Sequence, residues 1–534
     1  MKKNISAFVF IFVFFTTVLV KAQEQDQEVI QQSIKFNYFL SYLEKYYFDS
    51  IHANKIVEQA IENELKELDP HSVYISSEDV KKMNEPLQGN FEGIGISFNI
   101  LNDTLFVVET IGGGPSEKVG VKAGDRIVKV DNNNIAGIKL TNDKVYSLLR
   151  GPKGTTVNIT VLRKYVSGLL DFKITRDKIP INSIDASFMA DKGVGYIKLT
   201  RFSMTTMDEF IKSANELKKQ GAQNLILDLT GNGGGYLDVA ASLADQFLDD
   251  NKLVVYTQGL HNARKDYLST SNGIFEDGKV ILLIDEGSAS ASEIVSGAIQ
   301  DWDRGILIGR RSFGKGLVQR QLELPDGSMI RLTIARYYTP SGRLIQKPYN
   351  DGNDQYEKEI YNRYKHGEFE NKDSIKMPDS LKFKTLVNGR IVFGGGGIMP
   401  DIFVPLDTTF YSDYYRDLIR KGILNQFVLQ YVDKNRRKIE SSYESFSKYK
   451  TNFAITPEII SDLTNYAEKE GLKFKENDMK TSNEGISLTL KAYIARDIWS
   501  TNEFYEIMNQ KDANYLKALE VMNNWDKFKA LIFK

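Results

Sequence analysis

The chain contains no cysteine among its 534 residues. That excludes a disulfide framework, a thiolate metal site and a cysteine nucleophile. Histidine is scarce, with His52, His71, His261 and His366 the only four, so an acid–base scheme must use one of these or turn to another base. Charge of one sign is missing too. Lys plus Arg number 69 against 70 Asp plus Glu, a balance that gives no electrostatic reason to expect nucleic acid or an anionic membrane as partner. Long apolar runs are absent after the first two dozen residues. The only one, Ile5 to Val20, follows Lys2-Lys3 and precedes Val20-Lys21-Ala22 and the polar Gln23-Glu24-Gln25-Asp26. It is short for a hydrocarbon core of roughly 30 Å and has the layout of an export signal. The expectation is a leader over residues 1–22, no stable membrane span after its removal, and a soluble exported protein.

The bulk of the chain is ordinary globular sequence, 42% hydrophobic and 26% charged, and its length calls for several domains. Residues 23–88 read as helical. Val57, Ala60, Ile61, Leu65 and Leu68 share one helical face, and Asp69-Pro70 stops the run. The aromatic cluster Phe36, Tyr38, Phe39, Tyr42, Tyr46 and Tyr47 reads as core or helix–helix contact. From residue 89 to 165 short β-rich runs alternate with glycine turns: Gly93-Ile94-Gly95-Ile96, Thr104 to Val108, Ala123-Gly124-Asp125 and Thr156 to Val161. Residues 166–408 have α/β texture. Buried-strand runs such as Asn224 to Leu229 and Lys279 to Asp285 each lead into a small-residue turn and a helical pattern. A polar stretch over about 349–387 reads as a surface insertion. Residues 409–534 return to helix, with Leu424, Phe427, Val428 and Tyr431 on one face.

Three segments could carry chemistry. Ser288-Ala289-Ser290-Ala291-Ser292-Glu293 follows a strand and opens a helix. A nucleophile there would meet the free amides of the helix N-terminus, half of an oxyanion hole. The same letters also fit a capping box over Ser290 and Glu293, and nothing local selects among the three serines. Phe313-Gly314-Lys315-Gly316 puts a lysine in an apolar stretch. If buried, its amine loses its proton more readily and can act as a base; a surface lysine on a turn has the same letters. A phosphate loop is excluded because Gly316 follows Lys315 where Ser or Thr is needed. Thr230-Gly231-Asn232-Gly233-Gly234-Gly235 can turn tightly and offer backbone amides to an anion, or be a simple flexible turn.

In order, these segments resemble the C-terminal processing peptidases, also called tail-specific proteases. The likeness runs from Leu68-Asp69-Pro70-His71-Ser72, through Gly93 to Ile96, Ala123-Gly124-Asp125, the serine run, Phe313 to Gly316 and Gln319, to Tyr338-Thr339-Pro340-Ser341-Gly342-Arg343 and Gly397 to Asp401. The resemblance implies a multidomain α+β protein: a helical N-terminal region, a PDZ-like domain, a crotonase-like α/β protease core and, beyond the family pattern, a helical C-terminal region. It implies Ser290 as nucleophile, Lys315 as general base and Gln319 as the residue orienting it. The oxyanion would meet the backbone N–H groups of Ala291 and Gly234. Gly93, Ile94, Gly95 and Ile96 would receive the carboxylate of a substrate tail, which would pair as a strand along Ser97-Phe98-Asn99-Ile100. Neither metal nor organic cofactor is implied. The partners would be proteins or peptides with free C-termini, any adaptor unknown, and the periplasm the compartment. One departure stands out: the family often has arginine where this chain has Thr230, which puts the charge network of the glycine loop in doubt. An acyl-thioester enzyme on the same fold is disfavoured by the export signal. A non-catalytic PDZ scaffold would have no need of the residue types at 290 and 315.

Overall fold

The computed structural model describes residues 27–532; the expected leader lies outside them. Residues 27–46 are helical, and the helix Ala53–Leu68 follows. The aromatic residues Phe36, Tyr38, Phe39, Tyr42, Tyr46 and Tyr47 are exposed rather than in a core. Their spacing lines them along one helix, with Tyr38 against Tyr42 and Tyr42 against Tyr46 at 6.0 Å between ring centroids, but no described element covers them. After Asp69-Pro70 comes a short strand, Val73–Ile75, paired antiparallel with Met329–Tyr338. The N-terminal region is therefore not helical throughout: it lends a strand to a sheet completed some 250 residues later.

The β-rich segment forms an antiparallel sheet in the order Ile96–Leu101, Thr104–Thr110, Arg126–Val130, Thr156–Leu162, Leu169–Thr175. Alternation drives it. Val157, Ile159 and Val161 point into the core while Thr156, Asn158 and Leu162 face outward. The sheet does not stop at residue 165. Leu169–Thr175 pairs along the whole length of Thr156–Leu162, because the second arm of a hairpin completes the cover of that core. Ile96–Leu101 is the edge strand, and the helix Asn142–Leu149 lies near it, with Phe98 edge-on to Tyr146 at 5.5 Å.

The next unit has a six-stranded sheet ordered Ile184–Asp191, Val194–Leu199, Asn224–Asp228, Val280–Ile284, Ile306–Gly309, Ile402–Phe403. All pairs after the first are parallel, and the central Val280–Ile284 is buried at every residue, as a strand covered on both faces must be. Helices Thr206–Lys219, Leu237–Asp245 and Ala291–Asp301 cover one face. Helix Ala513–Asn523, from the far C-terminus, covers the other through Tyr515, Ala518, Val521 and Met522. The polar stretch 349–387 is not merely superficial. It forms the helix Asn353–Lys365, whose Tyr356 and Arg363 are buried against the loop carrying Lys315. The remaining C-terminal helices, from Asp413–Arg420 to Thr501–Met508, enclose their own core. They also touch the β-rich sheet through Leu429 on Leu101 and Phe106, and through an Arg126–Asp433 ion pair of 2.9 Å.

Arg343 has a structural task. It is fully buried and donates to the equally buried Asp301 at 2.5 Å and to the Phe393 carbonyl at 3.0 Å. Asp301 also accepts the Ser341 amide, at 2.9 Å. Arg343→Met leaves a carboxylate without its cation in the interior, so it is expected to lower stability by about 3–5 kcal/mol. Urea unfolding followed by tryptophan fluorescence measures this, and a loss below about 1 kcal/mol contradicts it.

Candidate active site

Strand Val280–Ile284 ends in a turn held by Asp285, which accepts the amides of Gly231 at 2.8 Å and Gly287 at 3.0 Å. The turn delivers Ser290 to the N-terminus of Ala291–Asp301 with φ 54° and ψ −111°. That backbone is unfavourable for a side chain with a Cβ and persists only when its surroundings hold it. The neighbouring serines are engaged elsewhere. Ser288 Oγ donates to the Leu229 carbonyl and Ser292 Oγ to the Asn232 carbonyl, each at 2.8 Å, and both residues are fully buried. Of the three, Ser290 alone lines a cleft of about 510 Å³, together with Lys315, Gln319 and the 233–235 glycines.

Lys315 Nζ donates to Gln319 Oε1 at 2.8 Å. Burial, and after it the charge of Arg331, lowers the Lys315 pKa to about 8, while Asp69 and Glu293 work in the opposite direction. Gln319 Nε2 in turn donates to the carbonyl of His71. Asp69 shapes that turn: its Oδ1 accepts the amides of His71 at 2.8 Å and Ser72 at 3.0 Å, and its Oδ2 accepts Ser72 Oγ at 2.6 Å. The His71 ring lies 2.7 Å from the Tyr356 hydroxyl through Nε2. Burial, followed by the Lys315 charge, lowers the His71 pKa to about 4, so the ring is neutral at ordinary pH and acts as a fixed hydrogen-bonding group. Lys347 lies over the rings of Phe313 and Tyr356, 4.1 Å from each centroid. Arg363 donates to the carbonyls of Arg311 at 2.6 Å and Ser312 at 3.0 Å. The insertion helix thus braces the Lys315 loop.

Glu293 was legible only as half of a cap. It does donate its amide to the Ser290 carbonyl, at 2.8 Å, but its side chain does more. The fully buried carboxylate accepts the amides of Ser290 at 2.8 Å, Gly314 at 2.7 Å and Lys315 at 2.9 Å, and Ser312 Oγ at 2.5 Å. It thereby ties the serine turn to the lysine loop. Burial raises its pKa to about 7, against the opposing pull of these four donors. The Tyr337 hydroxyl adds a second tie, donating to the carbonyls of Ser290 and Lys315.

The glycine loop packs directly on the serine. A Cβ on Gly234 would stand 2.8 Å from Ser290 Cβ and 2.9 Å from the Ala291 amide, which only glycine avoids. The Gly234 amide itself donates to Asn232 Oδ1 at 2.9 Å, so Gly234 can serve an oxyanion only by sharing or releasing that bond. The charge network questioned at Thr230 is present in another form. Lys198, beside Asp228 in the parallel register, donates to Asp228 Oδ1 at 3.0 Å, the Thr230 carbonyl at 2.6 Å and Thr230 Oγ1 at 2.7 Å. The cation comes from the adjacent strand instead of from position 230.

Gly93, Ile94, Gly95 and Ile96 are not in this cleft; they lead into the edge strand of the antiparallel sheet. Gly95 takes φ 74°. Ile94 is 2% exposed and belongs to the core under that sheet, so its side chain is not part of a surface pocket.

Residues 193–352 match the model of peptidase family S41, residues 93–174 that of a PDZ domain, and residues 414–500 a family of unknown function. The carboxy-terminal-processing protease of Bartonella bacilliformis is 35% identical over 338 residues, 62% of this chain and 77% of that protein. The carboxy-terminal processing protease CtpA of Bacillus subtilis is 34% identical over 314 residues, 59% of this chain and 66% of that protein. A solved photosystem II D1 C-terminal processing protease aligns with 57% of this chain and 82% of its own, at 29% identity and a TM-score of 0.33. With its PDZ domain and family S41 core, the chain belongs to the C-terminal processing proteases, a family of serine peptidases.

Proposed function

We propose that this protein is an exported endopeptidase that captures protein tails by their free C-terminus and cleaves them through a Ser290 acyl-enzyme with Lys315 as base. The observation that carries the reading is the shared cleft. One serine of three opens onto it, and the lysine beside it is buried enough to surrender its proton near pH 8. The neutral Lys315 amine takes the proton of Ser290 Oγ as the oxygen attacks the peptide carbonyl carbon. The developing oxyanion meets the Ala291 amide at the helix N-terminus, with Gly234 as second donor once Asn232 releases it. The Lys315 ammonium then gives its proton to the leaving nitrogen, and the C–N bond breaks. Water repeats the attack on the ester with Lys315 again as base, releasing the new carboxyl end and restoring Ser290. Gln319 orients Lys315 and Glu293 positions both motifs. The Lys-led apolar leader over residues 1–22 supports export, and the periplasm is the compartment we assign.

A base with a pKa of about 8 makes activity rise with pH, because the amine must be neutral. At pH 7 about a tenth of such a lysine is neutral, against well under a thousandth for an unperturbed one. The kcat/KM profile is expected to climb through about pH 8. Ser290→Ala is expected to abolish turnover, and Lys315→Arg to lower it by at least about 10³-fold, since guanidinium stays charged. Near-normal peptide cleavage by either pure variant contradicts the assignment.

Glu293→Gln keeps the shape but turns part of a four-fold acceptor into a donor facing backbone N–H groups. It is expected to slow labelling of Ser290 by a fluorophosphonate probe by at least about tenfold, with KM for peptides nearly unchanged. A pure KM effect is the outcome that excludes a positioning role.

The edge strand Ile96–Leu101 is open to strand addition beside Asn142–Leu149. Amidating the C-terminus of a tail peptide removes the charge that the Gly93–Ile96 turn would receive, so cleavage is expected to fall by about tenfold or more. Equal rates for the free and amidated peptides leave the PDZ domain as a spacer.

A further inference from the structure

The Ser290 cleft has a one-sided charge. Lys315, Arg320 and Arg331 line it, and among the described residues no carboxylate does. Glu293 lies beneath it and spends its acceptors on Ser290, Ser312, Gly314 and Lys315. Asp69 is occupied by its own turn and Thr333. Arg331 is the unusual member. It sits in the middle of a sheet, on Met329–Tyr338, between Val73 on one side and Gln321 on the other. Other buried arginines have partners: Arg310 pairs with Glu286, Arg311 with Glu368, Arg343 with Asp301, and Arg390 with Asp303 and Asp401, while Arg304 donates to the carbonyls of Phe247, Phe275 and Glu276. Among the described residues Arg331 makes neither an ion pair nor a side-chain hydrogen bond. Burial lowers its pKa, and no anion offsets that cost. A half-buried guanidinium facing a substrate cleft without a partner costs stability unless a ligand supplies the anion. A planar fork of donors suits a carboxylate.

We propose that Arg331 is a carboxylate-binding subsite of the peptidase cleft, receiving an acidic side chain near the scissile bond or the free carboxylate of the tail under cleavage. The proposal rests on the placing of the scissile bond at Ser290. It gives the cleft a selectivity separate from the PDZ domain: the PDZ domain selects a tail, and Arg331 selects which stretch of it lies in register with Ser290. It also couples occupancy to the base. The charged or titratable groups acting on Lys315 are Arg331, Asp69, Glu293 and His71, and Arg331 is the charge that most opposes the ammonium form. Removing it therefore moves the Lys315 titration upward.

The test uses internally quenched peptides of one apolar sequence. A single Glu or its isostere Gln is placed in turn at each position flanking the cleaved bond, and every peptide is made with a free and an amidated C-terminus. For the intact protein, Glu is expected to exceed Gln in kcat/KM by about tenfold at one position. If the tail carboxylate is the ligand, the free form of the short peptides is favoured instead by a similar factor. Arg331→Met is expected to erase that ratio, Arg331→Lys to keep part of it, and the pH limb of Arg331→Met with Gln peptides to lie above that of the unaltered protein. Absence of both preferences in the unaltered protein overturns the proposal whether or not the variants fold, and so does an unchanged ratio in folded Arg331→Met. Failure of the Ser–Lys reading shows separately, as peptide cleavage or fluorophosphonate labelling that survives Ser290→Ala.

Discussion

The buried carboxylate of Glu293 is the constraint on which the site depends. A fully buried, acceptor-rich group is costly unless its oxygens are used, and here four donors converge on it from two separate segments. The serine turn and the lysine loop are therefore built around one shared acceptor. That arrangement holds Ser290 at a backbone conformation that an isolated turn would abandon. It also brings the Lys315 loop against the helix N-terminus.

The surroundings of Lys315 show how a fold lowers the pKa of an amine. Desolvation does most of the work and a neighbouring guanidinium adds to it. The amine is kept from simply turning to solvent by Gln319, which is anchored on the His71 carbonyl. His71 is anchored in turn by Asp69 and by Tyr356 of the insertion helix. Segments from residues 69–72, 312–319 and 353–365 thus form one hydrogen-bonded unit, although each looks local in sequence. The C-terminal helices extend the same logic. Ala513–Asn523 closes the back of the parallel sheet that carries Asp228 and the serine turn, while Ile423–Ser442 contacts the PDZ sheet.

Where the sequence misled, the reason is visible. Phe36 through Tyr47 have the composition of a core, but hydrophobicity specifies burial only if a partner surface exists, and no described element supplies one. The stretch 349–387 is polar on average, yet its buried residues include Tyr356, whose hydroxyl meets the His71 ring, and Arg363, which donates to the Arg311 and Ser312 carbonyls, contacts that leave no trace in composition. Lys198 could not be connected to Thr230 from sequence, because only the parallel register of two strands sets it beside Asp228. Nor could the inward direction of Ile94 be read from sequence: its neighbours are glycines that turn the chain, and the turn sends its side chain into the core.

By itself the sequence determined the elements and their order: strand runs of buried length, small-residue turns at 285–290 and 230–235, helical periodicity, and the placement of a serine and a glycine-flanked lysine in segments able to turn tightly. Those properties are local, because periodicity and turn chemistry act over a few residues. Only the tertiary structure decided which of three serines faces solvent, that Glu293 joins the two motifs, that the Gly234 amide is already engaged, and that Arg331 reaches the cleft without a carboxylate. Each of these depends on which atoms meet across long stretches of chain. Burial, electrostatic shift and hydrogen-bond satisfaction are properties of such meetings and not of the residues taken one at a time.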